Sequence, residues 1–98
     1  MKITKNLNGT ALEIALEGRL DTTTAPDLEN VLKESLEGVN ELILDFSRLD
    51  YISSAGLRVL LSAHKTMANR GGMKVTNVNE IVNEVFEITG FSDVLTIE

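Results

Sequence analysis

The chain has 98 residues, 43% of them apolar, which is enough to bury one core and too little for two, so one continuous domain over residues 1–98 is expected. Fifteen acidic residues against nine basic ones leave a net charge of −6, which would repel a phosphate backbone and argues against nucleic-acid binding. The lack of cysteine excludes disulfides, zinc–cysteine sites and thiol nucleophiles, and no apolar segment reaches signal-peptide or membrane-spanning length, so membrane insertion is not expected and the cytoplasm is the default location.

Taken in chain order, Ile3–Leu7 and Ala11–Glu17 flank Asn8-Gly9, and the alternation of Leu12, Ile14 and Leu16 with Glu13 and Glu17 predicts a hairpin with one half-buried strand. Three threonines lead to Ala25-Pro26-Asp27, where Thr24 and Asp27 have the spacing of a capping box with aspartate in place of glutamate. The first helix follows, with Leu28, Val31, Leu32 and Leu36 on one face and Gly38 as its left-handed stop. Leu42–Phe46 is an almost unbroken apolar run, read as a strand covered on both faces, and Ser47–Asp50 as a short polar link. A second helix carries Leu57, Leu60, Leu61, His64 and Ala68 on one stripe and runs to Gly71-Gly72. Met73–Val78 predicts a strand, Glu80–Thr89 a third helix ended by Gly90, and Val94–Ile97 a last short strand. The order ββαβαβαβ implies an α/β domain: a mixed β-sheet with helices packed against it and right-handed crossovers between parallel strands.

Catalytic groupings can be tested almost exhaustively, because the chain has a single histidine. If Ser54 and His64 share the second helix, their ten-residue separation puts them about 15 Å apart along its axis, far beyond proton-transfer distance. His64 is more simply a packed or half-buried helix residue. Asp21, Asp45 and Asp50 lie at or just past predicted strand ends, where ligand sites gather in open sheets, yet turn, strand-end and local-cap roles account for them equally well. No phosphate-loop spacing occurs, and no metal-ligating cluster or cofactor is expected.

What remains is Ser53-Ser54-Ala55-Gly56, a patch of small residues between a buried strand and a helix, with Ser54 as N-cap or first-turn residue. Ordinary helix capping accounts for the serines. Gly56, however, falls inside the first turn, where glycine costs about 0.5–1 kcal/mol relative to alanine, which suggests close backbone access for a partner or a modifying enzyme. A phosphate on Ser54 would add roughly −1.5 to −2 charge at the positive end of the helix dipole, a change the fold tolerates and an interface centred on the patch would not.

Three segments, Gly18-Arg19-Leu20-Asp21, Leu42-Ile43-Leu44-Asp45-Phe46 and Tyr51-Ile52-Ser53-Ser54-Ala55-Gly56-Leu57, resemble in order and spacing the landmarks of STAS domains, and the resemblance covers nearly the whole chain. Free-standing STAS domains of this size are typically bacterial anti-sigma factor antagonists. The resemblance therefore implies a non-enzymatic, monomeric binding protein that sequesters an anti-sigma factor and frees a sigma factor for transcription. It implies that the anti-sigma factor is also a serine kinase, that phosphorylation of the serine opening the second helix releases the antagonist, and that a PP2C-type phosphatase reverses this. Aligned on Gly56-Leu57, the modified residue is Ser54, ahead of Ser53, which stands where the family commonly has aspartate. Asp21 matches an aspartate in a loop beside that site, so Asp21, Ser53, Ala55, Gly56 and Arg58 are the expected partner surface. Two alternatives keep the fold and change the role: a STAS subunit of a lipid-transport ATPase, and a small nucleotide-binding module built on Asp21, Asp45 and Ser54. A hydrolytic enzyme fits least.

Overall fold

The computed structural model describes residues 1–98 as β1 (Lys2–Asn8), β2 (Ala11–Leu20), α1 (Ala25–Ser35), β3 (Glu41–Ile52), α2 (Ser54–Ala68), β4 (Met73–Thr76), α3 (Glu80–Thr89), a 3-10 turn at Phe91–Asp93 and β5 (Thr96–Ile97). The element order is the predicted ββαβαβαβ. In space the strands run β1-β2-β3-β4-β5, with β1 antiparallel to β2 and every other pair parallel. Each parallel step moves to the next strand in the same direction, so right-handed crossovers put all three helices on one face of the sheet. Burial follows from this: Leu12, Ile14, Leu16, Leu42, Leu44, Phe46, Met73 and Val75 face the helices and are buried, while Glu13, Ala15, Glu17, Ile43, Asp45 and Lys74 alternate onto an open face. Phe46 of β3 meets Phe86 of α3 with ring centroids 6.4 Å apart at the centre of the core.

The long β3 corrects two expectations. Leu42–Phe46 is not covered on both faces, since Ile43 and Asp45 are only half-buried on the open side. Nor is Ser47–Asp50 a link, because the strand continues to Ile52. Pairing with β2 jumps from Ala15↔Asp45 to Glu17↔Arg48, and from Gly18↔Leu49 to Arg19↔Tyr51, so β3 holds an extra residue at each jump. These two bulges break the period-2 pattern that marks a strand, yet they keep Leu49 and Ile52 facing inward. β2 is likewise extended to Leu20 by that pairing, and β4 stops at Thr76, short of Val78.

The helices correct two more. Thr24 does not cap α1 with its side chain; its Oγ1 donates to the Arg19 carbonyl at 2.8 Å and accepts from Asp21 N–H at 2.9 Å, leaving the predicted capping box unformed. On α2 the buried set is Gly56, Leu57, Val59, Leu60, Ala63 and Met67, whereas Leu61 and His64 are half-buried and Ala68 is exposed. The buried stripe is rotated toward Gly56, which lies against Leu20 and Ile52 at the strand ends, and toward Val59 and Ala63, which line the cleft facing α1. α3 spans the predicted residues and ends at Gly90, whose φ of +81° only glycine adopts freely, but of its apolar positions Val82 and Phe86 alone are fully buried.

Candidate functional site

β2 and β3 end side by side, with Leu20 paired to Ile52, and α2 starts two residues later without an intervening loop. Ser53 occupies the N-cap with extended backbone (φ −101°, ψ 177°), its N–H donating to the Leu20 carbonyl at 2.9 Å and its own carbonyl accepting from Leu57 N–H at 3.0 Å. The first bond ties the start of α2 to the end of β2 and the second is the first turn of α2 itself, so Ser54 opens its helix beside the strand end from which Asp21 leads off. Ser54, the first residue of α2, is exposed, and so is Arg58 one turn on; Ala55 is half-buried. The Ser53 hydroxyl is buried without a hydrogen-bond partner, so α2 has no side-chain cap.

Gly56 is buried and does not lie on the surface. A Cβ built there would come within 2.7 Å of Leu20 Cγ and 2.8 Å of Ile52 Cγ1, so glycine is required by the contact of α2 with the two strand ends. This internal reason replaces the expected need for backbone access. It also explains the position of the patch, because the close approach at Gly56 is what holds Ser54 and Ala55 at the rim of the sheet.

The β2–α1 loop is ordered by one carboxylate. Asp21 Oδ1 accepts from Thr23 N–H at 3.0 Å, Thr23 Oγ1 at 2.8 Å and Thr24 N–H at 3.3 Å, and its carbonyl accepts from Ala25 N–H at 2.8 Å. The bond from the Thr23 hydroxyl is the main reason its carboxyl titrates below the usual aspartate range, with the backbone N–H groups of Thr23 and Thr24 adding to it. Asp21 is thus a loop-forming residue, and its second oxygen, 3.8 Å from Arg19 Nε, still faces outward. The Arg19 guanidinium lies 4.6 Å over the Tyr51 ring, bracing the loop from the open face of the sheet. From sequence, Thr24 is assigned a capping role, and Arg19, Tyr51 and Thr23 are assigned no part in shaping this loop. The threonine run after Leu20-Asp21 was the available signal, since side-chain oxygens two and three residues beyond an aspartate form such turns.

The other carboxylates separate from this surface. Asp45 sits within β3 on the open face, accepting from Ser47 N–H at 2.9 Å and Asn77 Nδ2 at 3.0 Å; the Asn77 bond above all lowers its pKa. Asp50 is exposed inside β3, not beyond it. The gathering of Asp21, Asp45 and Ser54 on which a nucleotide site would depend is therefore not formed. His64 lies on α2 with Ser54 and is half-buried. No helix is long and apolar enough to cross a membrane.

The molecule is a two-layer α/β domain whose one distinctive surface joins an exposed helix-opening serine to an aspartate-ordered loop. It belongs to the STAS domain family, whose model matches residues 2–98. Among curated relatives, BtrV of Bordetella bronchiseptica, assigned as an anti-sigma factor antagonist, is 36% identical over 99 residues, covering 99% of this chain and 85% of its own. The anti-sigma-B factor antagonist of Bacillus subtilis is 29% identical over 91 residues, with 92% and 84% covered. Among solved structures, the anti-sigma factor antagonist SpoIIAA in its unphosphorylated form superposes with a TM-score of 0.85 at 19% identity, covering 99% of this chain and 88% of that one. The phosphorylated form of Bacillus SpoIIAA gives 0.76 at 18% identity, with 99% and 91% covered. Both are similar to this chain in fold.

Proposed function

We propose that this chain is an anti-sigma factor antagonist, a non-enzymatic binding protein that holds an anti-sigma factor and is switched off by phosphorylation of Ser54. The observation that carries the reading is the placement of Ser54: exposed, first in α2, and preceded by Ser53, whose N–H bonds the end of β2 at Leu20, next to Asp21. An acceptor hydroxyl there is open to a kinase, and a phosphate there changes the surface without touching the core. The partner in this reading is an anti-sigma factor that is itself an ATP-dependent serine kinase, a PP2C-type phosphatase restores the free hydroxyl, and the contact surface is Asp21, Ser53, Ser54, Ala55 and Arg58 over the Gly56 seam. The relatives named antagonists support it, as does the existence of one structural relative in both phosphorylation states.

The test is intact-mass spectrometry after incubation with the candidate kinase and ATP, on wild type, Ser53→Ala and Ser54→Ala, with a pull-down of the kinase before and after. One added phosphate in the first two and none in Ser54→Ala, with loss of binding on modification, is the expected result. Phosphate on Ser53, or binding unchanged by phosphate, would overturn the switch.

A further inference from the structure

The three helices form one layer, and their charges differ in sign. α1 presents Asp27, Glu29 and Glu34 against Lys33, and α3 presents Glu80, Glu84 and Glu87 with no basic residue. α2, between them, has no acidic residue and carries Arg58 and Lys65. Both side chains are exposed, and seven residues apart on a helix they point the same way, about 10.5 Å from each other. Ser54, four residues before Arg58, shares that outer ridge. The other cations of the helical layer are engaged: Lys33 pairs with Glu29 at 3.6 Å, and the Arg70 guanidinium donates to the Leu36 and Val39 carbonyls. Neither Arg58 nor Lys65 enters any of the ion pairs. In a chain of net charge −6, the helix that opens with Ser54 thus has an uncompensated positive ridge between two acidic flanks.

From this we infer that the outer ridge of α2 is an electrostatic docking strip for an acidic surface of the protein partner, and that a phosphate on Ser54 releases the partner by cancelling the strip's charge. The inference rests on the antagonist reading above and specifies the chemistry of the partner and of the release. Two unpaired cations contribute about +2, and a phosphoserine contributes roughly −1.5 to −2 at the same ridge, within one helical turn of Arg58. After modification the whole helical layer is neutral or acidic, and a carboxylate-bearing partner meets repulsion where it met attraction. No refolding is needed. A cleft of about 390 Å³ between α1 and α2, floored by Leu32, Leu36, Val59 and Ala63, runs beside the strip and offers the same partner apolar area.

The experiment measures association of the full chain with the candidate anti-sigma factor by surface plasmon resonance, for wild type, Lys65→Gln, Lys65→Glu, Lys2→Glu and the Ser54-phosphorylated protein, across ionic strength. Lys65→Glu is expected to weaken binding by about tenfold, chiefly through a slower association rate, and Lys65→Gln by less. Lys2→Glu, on β1 away from the helices, leaves binding unchanged. Between about 0.05 M and 0.5 M salt, as the Debye length falls from roughly 14 Å to roughly 4 Å, the affinity gap between unmodified and phosphorylated protein narrows. Binding that ignores Lys65 reversal, or a gap that salt leaves constant, overturns the docking strip and leaves the antagonist reading standing. If unmodified wild type does not bind at all, the antagonist reading fails and the strip with it.

Discussion

Replacing Gly56 by alanine separates two reasons for a glycine at the start of α2. The added Cβ would lie 2.7 Å from Leu20 Cγ and 2.8 Å from Ile52 Cγ1, and both side chains are at most 1% exposed, so neither can swing into solvent. Overpacking of this kind costs about 1–3 kcal/mol, offset by the roughly 0.5–1 kcal/mol that alanine gains over glycine within a helix. The net expectation is a loss of about 1–2 kcal/mol. For a domain of this size, with a urea slope near 1 kcal/mol/M, the midpoint followed by far-UV circular dichroism should fall by about 1–2 M without a change in slope. A midpoint at or above that of wild type would refute the packing argument. Glycine would then be serving the surface, as close access to the backbone requires.

Other perturbations probe the supports of the site. Asp21→Asn keeps an acceptor oxygen but removes the charge favoured by the Thr23 and Thr24 donors. Because the folded carboxyl titrates below its ordinary value of 3.8, wild type should be the more stable form above that range, with the gap closing as pH falls through the folded pKa; a gap in urea midpoint that widens toward acid contradicts this. Asn79→Ala removes the α3 cap to Val82 N–H and the Nδ2 bond to the Leu49 carbonyl, both 2.8 Å, and should lower stability by about 1–2 kcal/mol in urea melts, with Asn79→Asp intermediate. Ser53→Ala should stay within about 0.5 kcal/mol of wild type by the same assay, since its hydroxyl has no partner to lose; a loss above about 1 kcal/mol would show that it caps α2.

The parts legible in the sequence are those where one local signal decides. Asn8-Gly9 between alternating strands gave the hairpin, and the 3.6-residue period from Ile81 with Gly90 behind it gave α3 with its limits. The exposed serine was found because it opens a helix directly after a buried strand. What escaped depends on contacts between distant segments. The extent of β3 is set by two bulges against β2, which make inward residues fall three apart and so resemble a polar link. The role of Gly56 is set by Leu20, 36 positions earlier, which no window around the Ser53–Gly56 patch contains. Thr24 is drawn from its capping role by the Arg19 carbonyl, a group that becomes available only once the chain turns at Asp21.

The bond from Ser53 N–H to the Leu20 carbonyl bears on how quickly a surface of this kind can act. With helix start, loop and strand ends already fixed to one another, association here has little chain left to order, and the entropy lost is confined to overall motion and to a few side chains at about 0.5–1.5 kcal/mol each. An encounter between two finished shapes needs only the right orientation, so its rate is governed by diffusion and long-range charge, not by a folding step. The proposed switch would use the same property: with the scaffold already fixed, adding and removing a phosphate at Ser54 would leave nothing to refold between cycles.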